Sequence, residues 1–245
     1  MKTHNNTILI TGGGSGIGFE IAKLCAANNK VIITGRDEQR LKTAVAGLDN
    51  ASYIVCDVTK EEDVTTLAQT IENKYPHLNL LINNAGKVSV YNLIEKEINA
   101  FEKAQEEMLT NYLSVVRLTE KLLPILTTNS ESAIVNVTSV AAVVPSQKLI
   151  TYSASKAALH FYTVSLRRLL QDTSVKVFEV MPPLVNTEFS KEVGGENGIS
   201  PELVATELLK GLQENQFEIP VGATVIAYEA YLVAALETLE ASKNN

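Results

Sequence analysis

The amino-acid sequence predicts an α/β protein built on a doubly wound parallel sheet with helices on both faces. Short apolar segments rich in β-branched residues alternate along the 245 residues with longer segments of helical periodicity. The strand segments are almost continuously apolar, which is typical of strands that are covered on both faces. Because the connections are short and no linker rich in Pro, Gly or Ser divides the chain, we predict a single domain over residues 1–245.

The predicted elements follow one another in strand–helix order. We predict strands at residues 7–11, 30–34, 52–56, 78–82, 133–138, 175–180 and 217–220. We predict helices at residues 16–28, 38–46, 61–74, 101–126, 152–170 and 223–242, and one that begins at Pro201 with Ser200 as its cap. Residues 187–200 contain three glycines and few apolar side chains. A loop of this length in a compact domain is functional or mobile, so we expect a mobile substrate loop near residues 187–200.

Composition excludes several function classes. The net charge is -7 and no run of Lys and Arg offers a nucleic-acid surface. Two cysteines, Cys25 and Cys56, are too few for a disulfide framework and are expected to be buried free thiols. The polar N-terminal residues resemble no signal region, and no segment approaches the length of a membrane helix. We expect a cytoplasmic protein without a metal site, in which His160 packs in the core or at a subunit interface.

The first strand runs directly into a glycine-rich turn, Thr-Gly-Gly-Gly-Ser-Gly-Ile-Gly, that ends at Gly18. Gly12, Gly16 and Gly18 allow a tight turn and a close approach of the backbone to a pyrophosphate. The following helix presents its free N–H groups and positive dipole end at the same point. A glycine-rich loop alone is weak evidence, but its position between a strand and an amphipathic helix favours a dinucleotide site.

The end of the second strand distinguishes between the two nicotinamide cofactors. An acidic residue there would bind the ribose 2′-hydroxyl and repel a 2′-phosphate. The sequence has Gly35 at that point, followed by Arg36, whose guanidinium suits a phosphate in charge and in fork geometry. Asp37 is expected to cap the next helix. The pattern favours NADP(H), and NAD(H) is the alternative.

Two side chains separated by one helical turn, Tyr152 and Lys156, form a candidate acid–base pair. An ammonium near the phenol favours the phenolate and lowers the pKa of the tyrosine, so that it could act as acid or base at a carbonyl or alcohol centre. Ser139 ends the fifth strand, thirteen residues before Tyr152, and its hydroxyl could hold a substrate oxygen. Asn111 is a polar residue within an otherwise apolar helical segment.

These motifs, together with Asn83-Asn84-Ala85-Gly86 after the fourth strand, resemble the short-chain dehydrogenase/reductase family over about residues 7–187. The resemblance implies a Rossmann-type fold that transfers a hydride between NADP(H) and a small carbonyl or alcohol substrate, with Tyr152 as general acid/base. It implies that Ser139 orients the substrate, that Lys156 binds the nicotinamide ribose and that Asn111 holds a water that relays protons. It implies a homodimer or homotetramer formed by the helices near residues 101–126 and 152–170. The implied cofactor-binding residues are Gly12, Ser15, Gly16, Ile17, Gly18, Arg36, Asp57, Val58, Asn84, Ala85, Gly86, Tyr152, Lys156, Pro182, Val185 and Thr187.

Some features depart from the family pattern or stay open. Pro183 stands where the family has glycine, which stiffens the start of the substrate loop. The segment after Ser139, residues 140–144, is apolar, so we expect a small or lipophilic substrate. Two alternatives remain: a regulator that binds NADP(H) without turnover, and an epimerase or dehydratase on the same fold. The complete Asn-Ser-Tyr-Lys set argues against the first, and the glycine spacing argues against the second.

Overall fold

Seven parallel strands form one sheet in the order β3-β2-β1-β4-β5-β6-β7. The computed structural model describes residues 1–243, and side-chain surroundings as far as residue 238. The strand order reverses direction between β1 and β4, which is the point where a doubly wound sheet opens a crevice. The predicted fold class is therefore confirmed. The strands are β1 (Thr7–Thr11), β2 (Lys30–Gly35), β3 (Ala51–Val55), β4 (Leu80–Asn83), β5 (Ser132–Val137), β6 (Val175–Met181) and β7 (Glu218–Pro220).

Helices cover both faces of the sheet and bury two separate apolar cores. One core joins the sheet to the helices α1, α2 and α7, and the other joins it to α3, α5 and α6. Cys25 lies in the first core and Cys56 in the second, both as free thiols, as expected. The helices are α1 (Gly16–Ala26), α2 (Glu38–Ala46), α3 (Glu61–Lys74), α4 (Ala100–Met108), α5 (Ser114–Thr128), α6 (Ile150–Leu169), α7 (Pro201–Glu214) and α8 (Thr224–Lys243).

The long helix predicted over residues 101–126 is interrupted. A single π-helical turn, Leu109–Leu113, separates α4 from α5. The helical periodicity continues through this turn, so a sequence pattern does not reveal it. π-turns concentrate at functional sites because they rearrange backbone groups locally, and this one contains Asn111.

The segment at residues 187–200 has more regular structure than a loop. It folds as two short 3-10 turns, Glu188–Val193 and Gly195–Asn197. A parallel bridge between Val185 and Ile199 closes its base. At its end, the Ser200 side chain accepts a hydrogen bond from the backbone N–H of Leu203, so the predicted cap of α7 is confirmed. The mobility of this segment stays a prediction.

The C-terminal part of the chain completes the sheet. The short strand β7 pairs in parallel with β6, and α8 follows it. Exposed apolar side chains on α8 include Ile226, Val233 and Leu236. Within residues 1–243, none of the helices combines the length and the apolar character that crossing a membrane requires.

Candidate active site

A cleft of about 770 Å³ lies where the strand order reverses, at the carboxyl ends of the central strands. It extends from Arg36, at the end of β2, to Tyr152 on α6, so one continuous space joins the two halves of the predicted site. Ligands bind at this position in open α/β sheets. The predicted residues that line the cleft are Gly12, Ser15, Gly16, Ile17, Arg36, Asp57, Val58, Asn84, Ala85, Gly86, Ser139, Tyr152, Lys156, Pro182, Val185 and Thr187.

The glycine-rich turn has a backbone that side chains would not allow. Gly12 has a φ of +65° and Gly16 a φ of +55°, both in the left-handed region. Gly18 does not line the cleft. A Cβ there would lie 2.5 Å from the Gly12 carbonyl oxygen and from the Asn84 side chain, so Gly18 allows α1 to pack closely on the turn. Its predicted role in cofactor binding stays a prediction.

Thr11 connects the glycine-rich turn to the segment after β4. Its hydroxyl oxygen accepts hydrogen bonds from the backbone N–H groups of Asn84 and Ala85, each at 3.0 Å. In return, Nδ2 of Asn84 donates to the carbonyl oxygens of Thr11 and Gly12 at 2.9 and 3.2 Å. Nδ2 of Asn83 donates to Oδ1 of Asn136 on the neighbouring strand β5 at 2.8 Å, so both side chains of the Asn pair brace neighbouring strands. The role of Thr11 was not predicted, although its place directly before the first glycine was visible in the sequence.

The nucleotide end of the cleft carries positive charge on exposed side chains. Arg36 and Arg40 both line it, and Arg40 was not predicted. Asp37 accepts a hydrogen bond from the backbone N–H of Arg40 at 3.0 Å, which confirms it as the cap of α2. Arg40 also lies 3.4 Å from the Glu188 carboxylate of the 3-10 segment, but both side chains are exposed and such pairs contribute little stability.

Asp57 follows β3 at the same end of the cleft. Burial acts to raise the pKa of its carboxyl, but hydrogen bonds from the hydroxyl and the backbone N–H of Thr59 lower it. The nearby charges of Arg36 and Lys60 act in the same direction, and the pKa of Asp57 falls below its usual value. The group is therefore an acceptor of hydrogen bonds at neutral pH.

Tyr152, Ser139 and Lys156 come together at the other end of the cleft, and all three are buried. The Lys156 Nζ atom lies 5.7 Å from the centre of the Tyr152 ring and donates a hydrogen bond to the Val137 carbonyl oxygen at 2.8 Å. The Ser139 hydroxyl accepts a hydrogen bond from the Ala141 backbone N–H at 3.2 Å, and this side chain lies near enough to the Tyr152 phenol to influence its pKa. Phe189, from the 3-10 segment, lies with its ring centre 6.3 Å from that of Tyr152. Phe189 is a further lining residue that was not predicted.

Burial dominates the titration of this pair. It raises the pKa of Tyr152 to about 12, and the nearby Ser139 side chain opposes the rise only in part. Burial also lowers the pKa of Lys156 to about 8, against the charge of Glu179, which acts to raise it. In the protein by itself, the net pKa of Tyr152 is therefore raised and not lowered as expected, because desolvation is the largest effect on the phenol.

Asn111 is buried in the π-turn and is not a surface residue. Its Oδ1 atom accepts a hydrogen bond from the Lys87 backbone N–H at 2.7 Å. Its Nδ2 atom donates to the Lys87 carbonyl and to the Ser155 hydroxyl, each at 2.8 Å. Both amide hydrogens therefore have protein partners, and the side chain ties the π-turn to α6 beside Tyr152 and Lys156. A proton relay through Asn111 stays a prediction.

The cleft has the features that a dinucleotide requires. The glycine-rich turn forms a cradle that side chains would fill, and the first turn of α1 follows it. Ser15, the N-cap of α1, makes no capping hydrogen bond with its side chain, and it lines the cleft together with Gly16 and Ile17. Its hydroxyl and the free N–H groups of the first helical turn are therefore available to an anion. The residues present therefore fit a phosphate-bearing cofactor.

The loop after β6 supports the reactive end. The Pro182 carbonyl accepts a hydrogen bond from the backbone N–H of Val140 at 2.9 Å, which joins this loop to the segment after Ser139. Thr187 lies over the glycine-rich turn, since a Cβ on Gly16 would be 3.2 Å from its Cγ2 atom. The loop after β6 therefore links the segment after Ser139 to the glycine-rich turn.

Comparisons with known proteins agree with this geometry. The chain is 40% identical over 232 residues to the uncharacterized oxidoreductase DltE of Bacillus subtilis, with 89% of each chain covered. A short chain dehydrogenase from Burkholderia cenocepacia in complex with NADP is 27% identical and superposes with a TM-score of 0.85, over 99% of this chain and 98% of that one. One from Burkholderia phymatum in complex with NAD has a TM-score of 0.86 at 23% identity, over 99% and 96% of the two chains, and supports the fold.

The family assignment extends over most of the chain. Residues 6–215 match the model of the short chain dehydrogenase family. This range includes the whole glycine-rich turn, the π-turn and the Ser-Tyr-Lys cluster. The chain belongs to the short-chain dehydrogenase/reductase family of oxidoreductases.

Proposed function

We propose that the protein is an NADP(H)-dependent oxidoreductase that interconverts a carbonyl and an alcohol, with Tyr152 as the general acid/base. The observation that carries this proposal is the convergence of Ser139, Tyr152 and Lys156 at one end of a cleft whose other end holds Arg36 and the N-terminus of α1. A nicotinamide dinucleotide of ordinary length requires such a continuous space between its phosphates and the reacting carbon.

The preference for NADP(H) rests on the end of β2. Gly35 offers no carboxylate to a ribose hydroxyl, and the exposed guanidinium of Arg36 is available to a 2′-phosphate. Arg40 lines the same end and adds a second positive charge. The complex of the Burkholderia cenocepacia relative with NADP is consistent with this preference, although the Burkholderia phymatum structure contains NAD.

The proposed chemistry assigns one task to each buried polar side chain. When bound, NADP(H) supplies or accepts the hydride. Ser139 donates a hydrogen bond that holds the substrate oxygen beside the phenol, and Tyr152 gives that oxygen a proton or removes one. Lys156 binds the nicotinamide ribose, and its charge favours the phenolate. Asn111 fixes the π-turn against α6, so that the lysine and the tyrosine keep their separation.

The substrate side of the cleft is apolar near the reacting groups. Val140, Val144 and Phe189 line it, and Val144 is about half exposed at the opening. Lys148 also lines the cleft, and its side chain is exposed. We propose a small or lipophilic carbonyl or alcohol as the substrate class. Strong turnover of a multiply charged substrate, combined with no turnover of apolar ketones and aldehydes, would contradict this.

The test is the consumption of the reduced cofactor with a panel of aliphatic and aromatic carbonyls, with NADPH and NADH measured in parallel. We expect turnover with NADPH at a lower KM than with NADH. Replacing Arg36 with alanine should weaken NADPH binding by about 10- to 100-fold and leave NADH almost unchanged, because one charge-assisted interaction contributes about 1.5–3 kcal/mol. Tight NADPH binding without turnover of any carbonyl would favour the regulator alternative instead.

A further inference from the structure

A buried hydrogen-bonded group formed by His160, Glu179 and Thr138 lies behind the cleft and has no task in the proposed chemistry. The His160 Nδ1 atom contacts both carboxylate oxygens of Glu179, at 2.9 and 3.0 Å. The Thr138 hydroxyl donates to Glu179 Oε1 at 2.6 Å. Glu179 is 0% exposed and His160 is 5% exposed, so this carboxylate is fully removed from water. A buried carboxylate is costly unless it is hydrogen-bonded or paired with a charge, and it therefore needs an explanation.

The topology brings this set next to Lys156. His160 follows Lys156 by one helical turn, so both point from α6 toward the sheet. Glu179 lies on β6 in register with Asn136 on β5. The Lys156 Nζ atom donates to the carbonyl of Val137, and the next residue, Thr138, donates to Glu179. A single peptide unit therefore separates the hydrogen bonds of the ammonium from those of the carboxylate.

Four other charged or titratable side chains lie in the same region as Glu179: Glu218, Arg167, Tyr228 and Tyr231. Glu218 is its register partner on β7, but it forms an ion pair with Arg167 of α6. From α8, the phenol rings of Tyr228 and Tyr231 pack edge-on against the His160 ring. Burial, followed by the charges of Glu218 and Glu179, raises the pKa of Tyr228 to about 12, which leaves it neutral at neutral pH. From α4, the buried Glu107 carboxylate acts on Tyr152, whereas Glu179 is the carboxylate whose charge acts on Lys156.

The electrostatic effect on Lys156 has a defined direction. Burial acts to remove the proton from Lys156, and the charge of Glu179 acts to retain it. An opposite charge at close range in a low-dielectric region shifts a pKa by one unit or more. The carboxylate also has fixed neighbours on two elements, so its position does not depend on the lysine.

We propose that Glu179 is a positioning residue that keeps the Lys156 ammonium charged, and that His160 and Thr138 hold its carboxylate for this purpose. The effect of Glu179 on the charge of Lys156 is a property of the protein without cofactor or substrate, whereas its consequence for turnover rests on the proposed function. Retaining the lysine charge would extend activity to higher pH than a desolvated lysine alone would permit.

The first measurement is an NMR titration of the lysine ¹³Cε signals of the full chain, with the Lys156 signal assigned by its loss in Lys156→Met. We expect Glu179→Gln to lower the Lys156 titration midpoint by about one pH unit. The matched control is Glu218→Gln, which removes a carboxylate from the same row and should leave the midpoint in place. A folded Glu179→Gln variant with the wild-type Lys156 midpoint would overturn the proposal.

If Glu179→Gln does not fold, a second pair of variants at His160 tests whether the Glu179 carboxylate keeps Lys156 charged. His160→Phe suits the aromatic surroundings but removes a hydrogen bond to the carboxylate, whereas His160→Gln can still donate one. We expect His160→Phe to lower the Lys156 midpoint by a smaller amount than Glu179→Gln, and His160→Gln to leave it close to wild type. Equal midpoints in both His160 variants and the wild type would contradict the proposal.

The pH profile of kcat/KM with NADPH distinguishes the two proposals. With Glu179→Gln, the loss of activity at high pH should begin about one unit lower, which corresponds to about a fivefold reduction at about pH 8. Glu218→Gln should keep the wild-type profile. A shifted lysine titration in a protein that turns over no carbonyl would support the electrostatic proposal and refute the proposed function. A shifted titration with an unshifted activity profile would overturn the catalytic consequence.

Discussion

Replacing Lys156 with methionine should stabilise the fold at neutral pH while it removes activity. Lys156 is 3% exposed, and burial lowers its pKa from 10.5 to about 8. Since one pH unit corresponds to about 1.4 kcal/mol, holding the charged lysine in place costs about 3 kcal/mol at pH 7. Loss of the hydrogen bond to the Val137 carbonyl offsets about 1 kcal/mol. Glu179 keeps His160 and Thr138 as partners, so we expect a net gain of about 2 kcal/mol.

The pH dependence of this gain in stability shows whether the buried charge of Lys156 is its cause. The unfolded chain retains the lysine proton up to about pH 10.5, whereas the folded chain loses it near pH 8. The wild type therefore gains stability as the pH rises through that window, and the methionine variant does not. The advantage of Lys156→Met should be present below about pH 8 and absent by about pH 10.5.

Urea unfolding followed by circular dichroism, at about pH 7 and about pH 10, measures this difference. Lys121→Met is the matched control, because Lys121 is an exposed lysine within α5 and its replacement should change stability by less than about 0.5 kcal/mol. The reasoning is refuted if Lys156→Met is less stable than the wild type at pH 7. It is also refuted if the gain is the same at both pH values.

Three further outcomes follow from the geometry of the site. Gly18→Ala should weaken NADPH binding at least about tenfold, because the added Cβ would lie 2.5 Å from the Gly12 carbonyl oxygen. Gly47→Ala is the control and should leave NADPH binding unchanged in calorimetry, because no atom lies within 4 Å of a Cβ at that position. Thr11→Val should lower the free energy of unfolding by about 2 kcal/mol in urea titrations, since two backbone N–H groups lose their acceptor; a change below about 0.5 kcal/mol would contradict this. Tyr152 should remain un-ionised below about pH 11 in the protein alone, so the tyrosinate absorbance of wild type and Tyr152→Phe should rise together until then; an earlier difference would show that burial does not control the phenol.

The parts of the site that local patterns encode could be predicted from the sequence. The glycine-rich turn, the Tyr152–Lys156 spacing and the cap at Asp37 each depend on a few neighbouring residues, and the structure places all of them in or beside the cleft. The alternation of elements predicts the doubly wound parallel sheet that the structure shows, whereas the order of its strands was not predicted. Errors at element ends are small, such as the helix predicted to Asn28 that ends at Ala26.

The remaining features depend on tertiary contacts that no local pattern contains. The π-turn at Asn111 interrupts a periodicity that is otherwise continuous. Arg40 and Phe189 reach the cleft because their elements meet there, and neither stands at a motif position. The pKa of Tyr152 follows the depth of burial, which the spacing of Tyr152 and Lys156 does not reveal. Glu179 and His160 lie 19 residues apart, and only the packing of α6 on β6 makes them partners.

The most direct test of the account compares wild type and Tyr152→Phe in two assays with the same NADPH stock. We predict that kcat for a carbonyl substrate falls by about 10²- to 10⁴-fold, the usual contribution of a general acid, because the ring keeps its packing and loses only its hydroxyl group. We predict that the Kd for NADPH changes by less than about threefold, since the phosphate-binding end of the cleft is distant from this side chain. Undiminished turnover in Tyr152→Phe would contradict the central claim that this phenol transfers the proton.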